Sequence, residues 1–280
     1  MTNKAKFHFP KKIDLATSPL HEAWLTIQWK LDSVEDNPQI LRDKFFPLAL
    51  GRFDHVVKEK YKYRAELPIA QAPEEVTPHI VRYQFRQNGP DGSPLLQIGP
   101  GIASVNFIKI CPWEPFKEEA LFLRQALSES YSEKKLLIDS LSLTYRNGVP
   151  FKYSEENLGE FLSKRLNTTI TFPQTIPGEV TQNRNIKNLN ISTAFALKEP
   201  TGSTGKVRII TGSKKEKLEN QEIVIFDTEV TGSENLPDFN DQAAFSLWLD
   251  QAHAICHEWF MAFIEGSLYK HYSQKEEQNA

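Results

Sequence analysis

Cysteine is scarce: Cys111 and Cys256 are the only two in 280 residues. Two cysteines so far apart make no secreted disulfide framework, although the pair is compatible with a single bridge. Without a C-x-x-C pair, a cysteine-based zinc site is excluded too. Long apolar runs are missing. The longest near the C-terminus, Trp259 to Ile264, is about a third of the roughly 20 residues that a membrane-spanning helix needs. Met1 to Pro10 carries positive charge with no apolar stretch behind it, so a secretory signal is not expected and a cytoplasmic protein is. Neither sign of charge dominates, with 33 basic residues against 36 acidic ones and a net charge of -3. That balance disfavours a nucleic-acid backbone as the main partner.

Catalytic signatures are also short of their requirements. Gly202-Ser203-Thr204-Gly205-Lys206 resembles a phosphate loop, but Pro200 stands at the place of the first glycine and Val207 at that of the magnesium-binding hydroxyl. A loop between strands is the better reading. His253 and His257 share a helix face at zinc-like spacing, yet position 254 is alanine and no third ligand is nominated by His21, His55, His79 or His271. Ser104 lies in no G-x-S-x-G elbow and is not a supported nucleophile. No catalytic residue, cofactor or metal ligand is therefore assigned.

What is present is periodicity. Ala23, Leu25, Ile27 and Trp29 alternate with Trp24, Thr26 and Gln28, which predicts a half-buried strand. Ile40, Leu41, Phe45, Leu48 and Phe53 have mixed helical spacing, with Pro47 expected to end or kink that helix. Residues 58–78 read as an irregular connection. Three strands follow as a meander, over Val81–Phe85, Leu95–Ile98 and Ile102–Ile110, with a sharp break at Gly99-Pro100-Gly101. Phe116, Ala120, Leu123, Leu127 and Tyr131 then mark one helical face, opened by Pro115 in the first turn. Leu141, Leu143 and Tyr145 alternate as another strand that Asn147-Gly148-Val149-Pro150 ends.

The second half repeats this grammar. A short helix over Leu158–Leu166 and a connection holding Pro173 and Pro177 precede strands at Leu189–Leu197, Val207–Ile210 and Ile223–Val230. Lys206, Arg208, Lys214, Lys215 and Lys217 make the second hairpin basic, as a solvated edge. A long helix opens at Asn240 or Asp241 and carries Phe245, Trp248, Leu249, Ala252, Ile255, Cys256, Trp259 and Phe263. The expected fold class is α+β, as two consecutive units, each an antiparallel strand meander followed by an amphipathic helix. An N-terminal arm covers 1–18, the units 19–150 and 151–272, and a polar tail 273–280. One continuous sheet with both helices on a face fits the same pattern.

Gly99 and Gly101 interrupt a strand, which marks a bulge or a close approach of backbone or ligand. With Gln97, Ser104, Asn106 and Trp113 they form the candidate ligand- or partner-binding set. Several segments carry a family likeness: Pro19-Leu20-His21-Glu22-Ala23, Leu96-Gln97-Ile98-Gly99-Pro100 with Ser104-Val105-Asn106, Trp113-Glu114-Pro115-Phe116, and Leu249-Asp250-Gln251-Ala252-His253. Together they resemble a sporadically distributed, functionally uncharacterised prokaryotic family of about this length. Leu143-Thr144-Tyr145-Arg146-Asn147 departs from it, since the family tends to place arginine before tyrosine there. The resemblance implies a patchy genomic context like that of mobile or phage-defence genes, and it carries over no catalytic residue.

The expected function is a non-enzymatic recognition or assembly subunit, binding another protein encoded nearby, within an accessory system such as anti-phage defence. Self-association into an oligomer is part of that expectation. The alternative is a small-molecule or lipid binder holding a small apolar ligand between the sheet and the C-terminal helix. A metal-dependent hydrolase using His253 and His257 is the least supported reading.

Overall fold

Strand β1 (Leu20–Trp29) buries Ala23, Leu25, Ile27 and Trp29 and turns Trp24, Thr26 and Gln28 to its other face. A period of two requires that split. The computed structural model describes residues 18–34, 37–108, 112–172, 186, 188–216 and 219–273, without the side chains of 213–216 and 219–221. The N-terminal arm to residue 17, Cys111, Pro173, Pro177, Lys217, the tail from 274 and the side chains of Lys214 and Lys215 lie outside that description.

After β1 come a small hairpin of β2 (Asp32–Val34) and β3 (Asn37–Arg42), helix α1 (Phe46–Val57) and β4 (Tyr63–Glu66). The first meander is β5 (Tyr83–Arg86), β6 (Leu95–Gly99) and β7 (Ile102–Ile108), followed by α2 (Trp113–Ser130). The second half holds β8 (Ile138–Pro150), α3 (Leu158–Arg165) and a meander of β9 (Asn190–Ala196), β10 (Ser203–Glu216) and β11 (Glu219–Gly232). Helices α4 (Gln242–Ile264) and α5 (Ser267–Ser273) close the described chain. Each half is thus a meander followed by a helix, and the class is α+β.

The meanders do not stand apart. Among the described residues nine strands form one antiparallel sheet, in the order β4-β5-β6-β7-β1-β8-β11-β10-β9. The boundary expected near Pro150 falls at the end of β8, which pairs with β1 on one side and β11 on the other. The halves therefore share a sheet. Both repeat one topology, in which the opening strand returns to pair with the last strand of its own meander: β1 with β7, β8 with β11. At the seam Leu25 opposes Leu143, and their outer neighbours are Val105 and Val230.

Two buried clusters line one face of this sheet. The first joins β1, β5, β6 and β7 to α1, α2 and the front of α4, through Phe53, Phe85, Phe116, Leu123, Phe245 and Leu249 among others. The second joins β8, β10 and β11 to α3, α5 and the end of α4, through Phe151, Phe161, Phe226 and Leu268. Each such side chain, fully buried, contributes about 1.5–3 kcal/mol. Helix α4 spans both clusters, so it couples the halves on the helix side as the β1–β8 seam does in the sheet.

Local departures have local causes. Ile40 and Leu41 belong to β3 instead of a helix, and Pro47 starts α1 instead of ending it. A first-turn residue has no intrahelical N–H bond to lose, so proline fits there. The connection at 58–78 contains β4, which pairs with β5 through Tyr63–Glu66. Asp241 caps α4 by accepting from the N–H groups of Ala243 and Ala244, the role its side chain favours. No helix among the described residues is long and apolar enough to cross a membrane.

Candidate functional site

The face of the sheet opposite the helices carries Glu22, Thr26 and Gln28 of β1, Ser104 of β7 and Ser142 of β8 around its centre. On β1 Trp24 opposes Asn106 of β7 and Thr144 of β8. Arg146, one step along β8 on the same face, lies over the Trp24 ring at 5.1 Å from its centroid. Its guanidinium makes a bidentate pair with Asp227 of β11, both bonds at 3.0 Å. That hydrogen bonding is the main cause that pushes the Arg146 pKa up and keeps the group charged. Glu22 stands 3.8 Å from the other side of the guanidinium and accepts from Asn106 Nδ2. The result is a row across four strands, Asn106–Glu22–Arg146–Asp227, with an indole beneath the cation. Planar bidentate pairing and cation–π contact hold both large side chains in fixed positions.

Three of the residues expected to bind share this face. Ser104 donates to Gln97 Oε1 at 3.1 Å, and Asn106 is the next outward residue of β7. The Oδ1 of Asn106 is buried and has no hydrogen-bond partner among the described residues. Gly99 and Gly101 serve the backbone instead. A Cβ on Gly99 would lie 2.0 Å from the carbonyl oxygen of Ile80, and Gly101 turns the chain at a φ of +77°. They form a tight turn between β6 and β7, not a bulge within a strand.

Trp113 is on the other side of the sheet. Its indole stacks on His253 of α4, with centroids 3.9 Å apart, and its Nε1 donates to Asp250 at 3.3 Å. Lys117 Nζ binds both oxygens of Asp250 at 2.8 and 2.7 Å. The hydroxyl of Tyr145 meets His253 Nδ1 at 2.8 Å. Two motifs remote in sequence, Trp113–Phe116 and Leu249–His253, are thus one contact between α2 and α4. Burial, then His257 and Lys117, push the His253 pKa down to about 3. A neutral imidazole between an indole and a phenol is a packed strut. Its neighbour His257 is 6.0 Å away ring to ring, and no group of three His, Cys, Asp or Glu among the described residues is placed to hold a metal.

On α4, the helix expected to close over a ligand, Phe245, Leu249, Ala252 and Cys256 lie in the same buried cluster as Leu143 and Val230 of the sheet, and Trp259 packs against it half-buried. Gly202, at a φ of +75°, sits in the turn between β9 and β10, and Lys206 and Arg208 beyond it oppose Glu229 and Asp227 across the ladder. Arg146 and Asp227 are the site residues that the sequence reading missed. Each sits on the outward parity of its strand, which was legible, but their pairing depends on β8 lying next to β11. The chain matches no protein-family model and no curated protein.

Proposed function

We propose that the chain is a non-enzymatic recognition or assembly subunit that binds another protein through the open face of its sheet, within a prokaryotic accessory system of the phage-defence kind. The observation that carries this reading is the Trp24–Arg146 pair, fixed by Asp227 and Glu22 on a face that no described helix covers. Tryptophan and arginine dominate the binding energy of protein interfaces because they offer large contact areas together with polar anchoring. The family resemblance supports the genomic context and says nothing of the site.

Native co-purification with the products of neighbouring genes tests the proposal. A stoichiometric partner is expected with the wild type, and its loss with Trp24→Ala and with Arg146→Ala in chains that still fold. A wild type that purifies without a partner, or a partner retained by both variants, would overturn it.

A further inference from the structure

The two halves differ at their outer edges. In the first half β4 pairs along the outer side of β5. It is a four-residue edge carrying Arg64 and Glu66, and such short charged edges resist further pairing. In the second half the strand equivalent to β5 is β9, and no described strand takes the place of β4. Strand β9 pairs with β10 on one side, and among the described residues no hydrogen bond reaches its other side. Its sequence, Asn190-Ile191-Ser192-Thr193-Ala194-Phe195-Ala196, has no charge and no proline. Among the described residues, none of the usual protections of an edge strand is present.

The ladder fixes which groups face outward. Thr211 N–H donates to Leu189 O and Leu197 N–H to Ser203 O, both at 3.0 Å. Odd-numbered residues from 189 to 197 therefore direct their main-chain groups towards β10. The N–H and C=O groups of Asn190, Ser192, Ala194 and Ala196 point to the free side.

We propose that this edge takes the β9 strand of a second copy of the chain, antiparallel, about a two-fold axis at Thr193. That register sets Thr193 opposite the partner's Thr193 and Ile191 opposite the partner's Phe195, twice by symmetry. Ser192 and Ala194 then exchange bonds with the partner's Ala194 and Ser192, as do Asn190 and Ala196, giving about eight main-chain hydrogen bonds. Pairs of β-branched with aromatic residues, and threonine with threonine, are favourable cross-strand neighbours. An uncharged strand meets itself without repulsion. Phe195 is 49% exposed although its ring lies against Trp259 at 5.7 Å between centroids, and pairing covers it. This self-association goes beyond the open-face reading: Trp24 and Arg146 lie on strands away from β9, so either can fail alone.

Sedimentation equilibrium of the full chain tests it. The wild type is expected to form a concentration-dependent species of twice 32.1 kDa. Thr193→Lys and Thr193→Glu each place like charges across the axis and are expected to weaken the dimer by about tenfold or more. An equimolar mixture of the two is expected to restore it as a heterodimer. A wild type monomeric up to roughly 100 µM, variants that dimerise like the wild type, or a mixture that stays monomeric would each overturn the inference. Should the variants misfold, amide exchange on the wild type decides. The outward N–H groups of Ser192 and Ala194 are expected to gain protection with concentration, and exchange independent of concentration overturns the inference.

Discussion

Trp113 and His253 lie face to face, their ring planes 4° from parallel and their centroids 3.9 Å apart. One opens α2 and the other sits mid-way along α4, so the stack fixes where two long helices cross the sheet. Trp113→Ala is expected to destabilise the fold by about 3 kcal/mol, from lost area and a cavity. Tyr145→Phe, which removes only the hydroxyl on His253, is expected to cost about 1 kcal/mol. Urea denaturation of both variants provides the measurement, and equal effects would contradict the strut.

The same histidine makes stability depend on acid. The folded state resists protonating His253 until about pH 3, whereas the unfolded chain takes that proton near pH 6.5. The contribution is intact above pH 6.5 and is lost as pH falls towards the folded value, at up to about 1.4 kcal/mol per pH unit. By pH 5 the loss is at most about 2 kcal/mol. His257, shifted down by burial, adds to the trend. A His253→Gln variant is expected to show a flatter stability profile between pH 7 and 5, and an unchanged slope would exclude this source.

Two glycines predict opposite outcomes. Gly99→Ala forces a Cβ to 2.0 Å from the Ile80 carbonyl, so a loss of about 3 kcal/mol or failure to fold is expected. A Cβ on Gly51, within α1, would meet nothing within 4 Å. Gly51→Ala is expected to stabilise by about 1 kcal/mol through helix propensity. Thermal melts of the two proteins would settle both signs.

Cys256 is a buried free thiol whose pKa burial pushes up to about 12. In a Cys111→Ser background, it is expected to react with a thiol reagent only as fast as the fold opens. Rapid labelling without denaturant would show that α4 does not sit on Leu143 as described.

Much of this fold was legible because it rests on local rules. The period of two in β1, the break at Gly99-Pro100-Gly101 and the helical face of α2 each stand within a short window. Pro47 was misread because proline ends one helix and begins another, and the choice depends on whether Ile40 and Leu41 pair with β2. The site was less legible. Asn106 and Gln97 announced themselves as polar residues beside a turn, whereas Trp113 stands in a segment of the family likeness, which does not say which side of the sheet it takes. A sheet separates faces that the chain places a few residues apart. The bidentate pair of Arg146 and Asp227 needs two strands from distant segments to be neighbours, and nothing local encodes that.

The β1–β8 seam bears on how the protein is made. A nascent chain releases β1 with both edges bare. Its first edge closes once residue 108 has emerged, but the other waits for residue 147. At about 5–20 residues per second, that interval lasts roughly 2–8 s. Meanwhile the strand that becomes the centre of the sheet, with Leu25, Ile27 and Trp29 on one side, offers an open ladder to any neighbouring chain. Synthesis of this protein therefore passes through a window in which its most protected strand is its most adhesive one, the stage at which a chaperone has most to do.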